Sequence, residues 1–239
     1  MRFFKKKSFN NLLIDIHSHL IPGIDDGAKS LEQTLEMLTA FKRLGYQKII
    51  TTPHIHPRYP NTIIGIKSGL EVVQKAINEH NLDIQVEVAA EYFVDEEFLN
   101  QVKTNKEILF FGKNLVLVES SFLNKPIFFE EALFELKSKG YTPVLAHPER
   151  YQFLEGSIEW LQELKSMGTL MQVTASSICG YYGESPQKIA KKLFKNNLVD
   201  ILGSDLHKIS QVAFLEKAFK KKEIQSYLKS GLCLNNSFL

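Results

Sequence analysis

Seven short apolar runs, each followed by a longer stretch with helical spacing, constrain this chain more than any other feature. They cover residues 12–17, 48–53, 85–90, 115–119, 143–147, 170–174 and 200–203. Their near-continuous apolar character suits parallel strands buried on both faces, in a sheet covered by helices or closed into a barrel. The stretches between them read as helices. Leu31, Leu35, Leu38, Phe41 and Leu44 recur at helical spacing, with Ser30 placed to cap the start, Gln33 three residues on, and Gly45 to end it. Further helices are expected over 66–78 and 128–139, and another opens at Ser185-Pro186, a cap followed by proline at the first helical position. This βα rhythm predicts an α/β fold, a barrel with fewer than eight strands, with an open doubly wound sheet as the alternative.

The chain has 239 residues, enough for one globular domain with a sizeable core, and it shows neither a low-complexity linker nor an internal repeat. We assign residues 12–239 to that domain and 1–11 to a basic tail. Lysine and arginine number 29 against 27 acids, so the net charge of +2 provides no extended field to hold nucleic acid. Substrate attraction must be local. Cys179 and Cys233 form no CxxC pattern, which argues against a disulfide framework or a cysteine-based zinc site and favours a reducing, cytoplasmic setting. No apolar run reaches the roughly 18 residues of a spanning helix. The start, Met1-Arg2-Phe3-Phe4-Lys5-Lys6-Lys7, lacks the apolar region and cleavage site of a secretory signal. So short a basic segment contacts an anionic membrane surface at most weakly.

The chemistry lies where the apolar runs end. The first runs into His17-Ser18-His19, the second into His54-Ile55-His56, the third into Glu91, the fourth into Glu119, the fifth into His147-Pro148-Glu149-Arg150 and the seventh into Asp205-Leu206-His207. The C-terminal ends of parallel strands form the active-site face of barrels and doubly wound sheets, so these residues would converge on one rim. In extended chain, positions two apart point to the same side, which pairs His17 with His19 and Asp205 with His207. Mixed imidazole and carboxylate donors suit zinc, manganese or iron rather than calcium or magnesium. They also exceed what one ion can use, so two or three ions are expected, spaced to clamp a phosphate and acidify a shared water.

Any single His-x-His is more often two histidines on a strand than a metal site, and a lone strand-end glutamate is usually a solvated loop residue. Placement at six strand ends reverses those odds. Asp25-Asp26-Gly27 often marks a simple turn, yet it follows His-x-His closely. His80 reads as a solvent-exposed helical residue and His56 as a substrate-loop or structural one. Arg150 is close enough to the rim to hold two phosphoryl oxygens; the bland alternative is a surface pair with Glu149 or Glu155.

The segments Asp15-Ile16-His17-Ser18-His19-Leu20-Ile21-Pro22-Gly23-Ile24-Asp25-Asp26-Gly27-Ala28, Thr51-Thr52-Pro53-His54, Ala90-Glu91-Tyr92, Ala146-His147-Pro148-Glu149-Arg150-Tyr151 and Gly203-Ser204-Asp205-Leu206-His207 resemble the polymerase and histidinol phosphatase (PHP) superfamily. Within it they are similar to the manganese-dependent bacterial protein-tyrosine phosphatases of capsule and exopolysaccharide operons (CpsB-like), over about residues 12–235. The resemblance implies a distorted seven-stranded (βα)7 TIM-like barrel, the PHP fold, with a trinuclear metal site at the C-terminal ends of the strands. His17, His19, Glu91 and Asp205 would hold the first ion, Glu91 as a bridge with Glu119 and His147 the second, and Asp26, His54 and His207 the third.

The expected reaction is hydrolysis of phosphotyrosine on protein, the substrate being the tail of a bacterial tyrosine kinase of polysaccharide synthesis. A hydroxide bridging two manganese ions, with iron or zinc as alternatives, would attack phosphorus in line while Arg150 steadies the developing charge. Rival readings are a small-molecule phosphatase of the histidinol phosphate type, a nuclease proofreading module, and a non-catalytic regulator that binds a phosphorylated tail.

Overall fold

A computed structural model describes residues 12–239, so the basic tail and the weak membrane contact expected of it lie outside the described residues. Among these residues the strands are β1 (Ile14–Asp15), β2 (Lys48–Thr51), β3 (His54–Ile55), β4 (Gln85–Val88), β5 (Glu91–Phe93), β6 (Leu115–Glu119), β7 (Thr142–Ala146), β8 (Leu170–Thr174) and β9 (Ile201–Gly203). They form a three-stranded sheet in the order β1-β2-β4 and a six-stranded sheet in the order β3-β5-β6-β7-β8-β9. Every pairing of these strands is parallel. Two of the seven expected strands stop early, at Thr51 and Val88, and each is followed by a further short strand beyond its expected end, giving nine strands. Pro53 explains both breaks. It has no N–H for the ladder, and the register Thr51↔Val88 and His54↔Glu91 sets Thr52-Pro53 opposite the gap at Ala89-Ala90. Ser18 makes an isolated parallel bridge to Leu206, with the Asp205 N–H donating to the His17 carbonyl at 2.8 Å, so the segment after β1 meets the segment after β9.

The helices are α1 (Leu31–Leu44), α2 (Ile63–Glu79), α3 (Glu96–Lys103), α4 (Phe129–Ser138), α5 (Glu159–Ser166), α6 (Glu184–Lys195), α7 (Val212–Ala218) and α8 (Lys222–Lys229). Ser30 caps α1, its hydroxyl accepting from the Gln33 N–H at 3.3 Å, while the Gln33 side chain accepts from Lys29 rather than from Ser30. α2 begins earlier than its apolar spacing predicts because Thr62 caps it, accepting from the Gly65 N–H at 3.1 Å. α6 departs from expectation: Gly183, not Ser185, is its cap, and Pro186 lies inside the first turn. An N–H there has no intrahelical partner, so proline loses nothing. No helix among the described residues is long and apolar enough to cross a membrane.

The period of two along the strands separates two apolar cores. Ile49, Val116, Val118, Leu145, Met171, Val173 and Leu202 face the helices in the larger one. Ile14, Ile16, Ile50, Ala89, Leu115, Leu117, Val144, Ala146 and Ile201 meet in a second, smaller core drawn from both sheets. Continuing this inner stripe by steps of two leads from Ile50 through Thr52 to His54, from Ala89 to Glu91, and from Leu117 to Glu119. Polar side chains therefore replace apolar ones at the C-terminal end of a stripe already pointing inward.

Candidate metal centre

Nine imidazole and carboxylate side chains meet at this end of the sheets. His17, His19 and Glu91 are fully buried, His147 and Asp205 almost so, and Glu119 nearly so, while Asp26, itself exposed, reaches in from the loop before α1. His17 Nε2 lies 3.4 Å from His19 Nε2, 3.1 Å from Glu91 Oε2 and 3.5 Å from Asp205 Oδ1. Glu91 Oε1 accepts from His147 Nε2 at 2.8 Å. His54 Nδ1 is 3.2 Å from Glu91 Oε2 and 3.1 Å from Glu119 Oε1, aligned for a hydrogen bond with neither. Across the mouth, His54 Nε2 and His207 Nε2 each stand 3.4 Å from Asp26 Oδ1.

These separations fit metal coordination. Metal–nitrogen bonds of about 2.1 Å put neighbouring donors about 3.0–3.4 Å apart around a tetrahedral or octahedral ion. Two imidazole nitrogens facing each other, and a buried His54 Nδ1 amid carboxylates it does not bond, are what donors sharing a cation look like. The donors fall into four overlapping groups: His19, Asp26, His54 and His207; His17, His19 and Asp205; His17, Glu91 and His147; and His54, Glu91 and Glu119. The division into three ions implied by the resemblance assigns His54 only to the Asp26 group. In the structure His54 also faces Glu91 and Glu119, and His19 also joins Asp26. His56 belongs to no group, and its ring lies 4.4 Å from that of Phe93.

A supporting layer orients the donors. His19 Nδ1 bonds Asp25 Oδ2 at 2.9 Å and His17 Nδ1 bonds Gln172 Oε1 at 2.7 Å, which turns both Nε2 atoms toward the cluster. Sequence reasoning took Asp26 from the Asp-Asp-Gly turn and passed over its neighbour. Gly27 makes the turn possible, because an added Cβ would collide with the His19 carbonyl and Cβ. His147 and Asp205 adopt left-handed backbone at φ 35° and 52°, a conformation uncommon for residues with a side chain and one that gathers at functional sites.

The acids of the cluster favour positive charge on His17 and His54. Burial works against charge on His17, but Glu91 and Asp205 outweigh it and push its pKa up to about 9. Burial likewise opposes charge on His54, yet Glu91, Asp26 and Glu119 push it up to about 12. In the metal-free protein, protons therefore occupy positions a metal would take. Metal loading at pH 7 is expected to release protons, and apparent affinity to rise with pH toward 9. Calorimetric titration in buffers of different ionisation enthalpy checks this; zero net proton release would refute it. The linkage sign for the metal-free fold is opposite. Because its folded pKa is raised, His17 contributes stability fully below about 6.5 and loses it as pH climbs through about 9.

Arg150 stands at the mouth of a cavity of about 120 Å³, lined also by Arg58, Tyr59 and Phe122. It forms neither pair expected of a surface arginine. Its Nη1 donates to Asp205 Oδ2 at 2.8 Å, and its guanidinium lies 4.5 Å from the Phe122 ring centre and 4.2 Å from that of Tyr182. Glu149 is buried instead, accepting from Ser177 and from the Thr174 N–H. Arg58 and Tyr59 went unnoticed in sequence because a loop with no periodicity carries them.

Comparison with known proteins places this arrangement. The Staphylococcus aureus protein CapC is 32% identical over 235 residues, covering 94% of this chain and 92% of that protein. Crystal structures of YwqE from Bacillus subtilis and CpsB from Streptococcus pneumoniae, described as metal-dependent tyrosine phosphatases, match with a TM-score of 0.83 at 26% identity, over 94% of this chain and 90% of the matched one. A histidinol phosphate phosphatase from Lactococcus lactis shares the fold alone, with a TM-score of 0.52 at 13% identity, over 87% of this chain and 94% of that one. The model of the capsular polysaccharide synthesis family CpsB/CapC matches residues 13–236, and the chain belongs to that family.

Proposed function

We propose that this chain is a metal-dependent protein-tyrosine phosphatase of capsular or exopolysaccharide synthesis, working in the cytoplasm on a phosphotyrosine segment of a bacterial tyrosine kinase. The observation that carries this reading is the convergence of nine imidazole and carboxylate side chains, four of the histidines around Glu91, beneath one small cavity with an arginine at its mouth. YwqE and CpsB, described as metal-dependent tyrosine phosphatases, support it. Manganese is the proposed metal, two to three ions, since nitrogen and oxygen donors without thiolate suit it and iron. Bound ions would neutralise phosphoryl charge and activate water. His17, His19, Asp26, His54, Glu91, Glu119, His147, Asp205 and His207 would hold them, and Arg150 would bind the phosphoryl oxygens from the side. We also read the two sheets as one distorted seven-stranded barrel, supported by the shared inner core and the Ser18–Leu206 bridge.

A panel assay of manganese-loaded enzyme tests the reading, using phosphotyrosine peptide, phosphoserine peptide, histidinol phosphate and a 3′-labelled oligonucleotide. The phosphotyrosine peptide should turn over fastest; preference for histidinol phosphate would move the assignment to the small-molecule branch. Cysteine chemistry supplies a further test. Cys179 and Cys233 are free, and burial pushes both thiols up, away from the low pKa of a nucleophilic cysteine. Changing both to Ser should leave kcat within about three-fold, with inhibition by chelator but not by thiol alkylation.

A further inference from the structure

We infer that Tyr182 is a positioning residue: it selects which oxygen of Asp205 faces the metal donors and holds the plane of Arg150. Tyr182 lies between the 3-10 turn Ala175–Cys179 and α6, in a loop that Gly180 turns at φ 77°. Its hydroxyl donates to Asp205 Oδ2 at 2.7 Å, the oxygen that also accepts from Arg150 Nη1 at 2.8 Å. A carboxylate oxygen accepts through two lone pairs, so Oδ2 is fully engaged. Oδ1 is left to face His17 Nε2 at 3.5 Å, His19 Nε2 at 3.8 Å and His207 Nδ1 at 3.4 Å. The same tyrosine ring packs 4.2 Å from the Arg150 guanidinium, which also has the Phe122 ring 4.5 Å away, so the two rings restrain the guanidinium. Tyr181 buttresses the arrangement, its ring 4.8 Å from Tyr182 and 4.9 Å from Phe214.

This inference rests on the proposed ligand role of Asp205, and two variants separate the tasks of hydroxyl and ring. Tyr182→Phe keeps the ring against Arg150 and removes only the donor. It should weaken binding of one manganese ion about ten- to a hundred-fold, the usual loss when a partner of a ligand is removed. Inorganic phosphate, as an inhibitor at saturating manganese, should bind within about two-fold of the wild type. Tyr182→Leu should weaken both manganese and phosphate binding. Chelator competition reads the metal step whether or not any phosphoester is hydrolysed, so failure of the phosphatase assignment would appear in the panel assay and not here. Wild-type manganese affinity in a folded Tyr182→Phe protein, even one with lowered Tm, would overturn the inference. If the Leu variant does not fold, unchanged phosphate binding but weakened manganese binding in the Phe variant still supports the hydroxyl's role.

Discussion

Glu91→Gln is expected to reduce turnover by at least about a thousand-fold, equivalent to ~4 kcal/mol in the barrier, with loss of bound metal. Among the described residues, no other carboxylate lies near so many of the candidate imidazoles. Oε2 is 3.1 Å from His17, 3.5 Å from His19 and 3.2 Å from His54, while Oε1 is 2.8 Å from His147, so one carboxylate spans both sides of the cluster. Burial works against its charge, but the surrounding histidines, His17 and His54 foremost, hold its pKa well below the usual carboxylate range. Glutamine keeps the shape, removes the charge and substitutes an N–H donor for an oxygen that must accept. Shortening to Asp keeps the charge but cannot span both sides, so Glu91→Asp should also lose metal. Elemental analysis with kcat checks the expectation. A Glu91→Gln protein with wild-type metal content and near-normal turnover would remove the bridging role.

Much of this centre is written locally in the sequence. A buried parallel strand is apolar on both faces, so a histidine or carboxylate at its end stands out, and a period of two tells which neighbours share its side. That logic reached His54, Glu91 and Glu119, which continue the inner stripe of Ile50, Ala89 and Leu117. It did not reach Gln172 or Tyr182, whose partners His17 and Asp205 are distant in sequence and which no periodicity links to them. Asp25 was within reach: a second acid beside Gly27, near a His-x-His pair, is a natural carboxylate to orient one of those imidazoles. The breaks after Thr51 and Val88 escape that logic for a related reason. Apolar content does not register that Pro53 removes one ladder hydrogen bond and that the facing strand must break with it.

Arg150→Ala is expected to lower kcat/KM for phosphotyrosine peptide by roughly ten- to a thousand-fold, the range for losing one charge-assisted contact to developing charge. Two competing roles make the experiment informative. If Arg150 served only its ion pair with Asp205, the Tyr182 hydroxyl would still hold Oδ2, and activity at saturating manganese would fall little. A contact to the phosphoryl group has no such substitute. Arg150→Lys separates the roles further: a lysine can restore a charge near Asp205, but its ammonium has no planar face to set against the Phe122 and Tyr182 rings and cannot offer two parallel N–H groups. The lysine variant should therefore recover only part of the loss. Both variants should lose activity on a small alkyl phosphate as well as on the aryl ester, because the group being gripped is common to both. Lysine restoring full activity would reduce Arg150 to a point charge beside Asp205. Alanine acting within two-fold of the wild type on both substrates would take it out of phosphate recognition altogether.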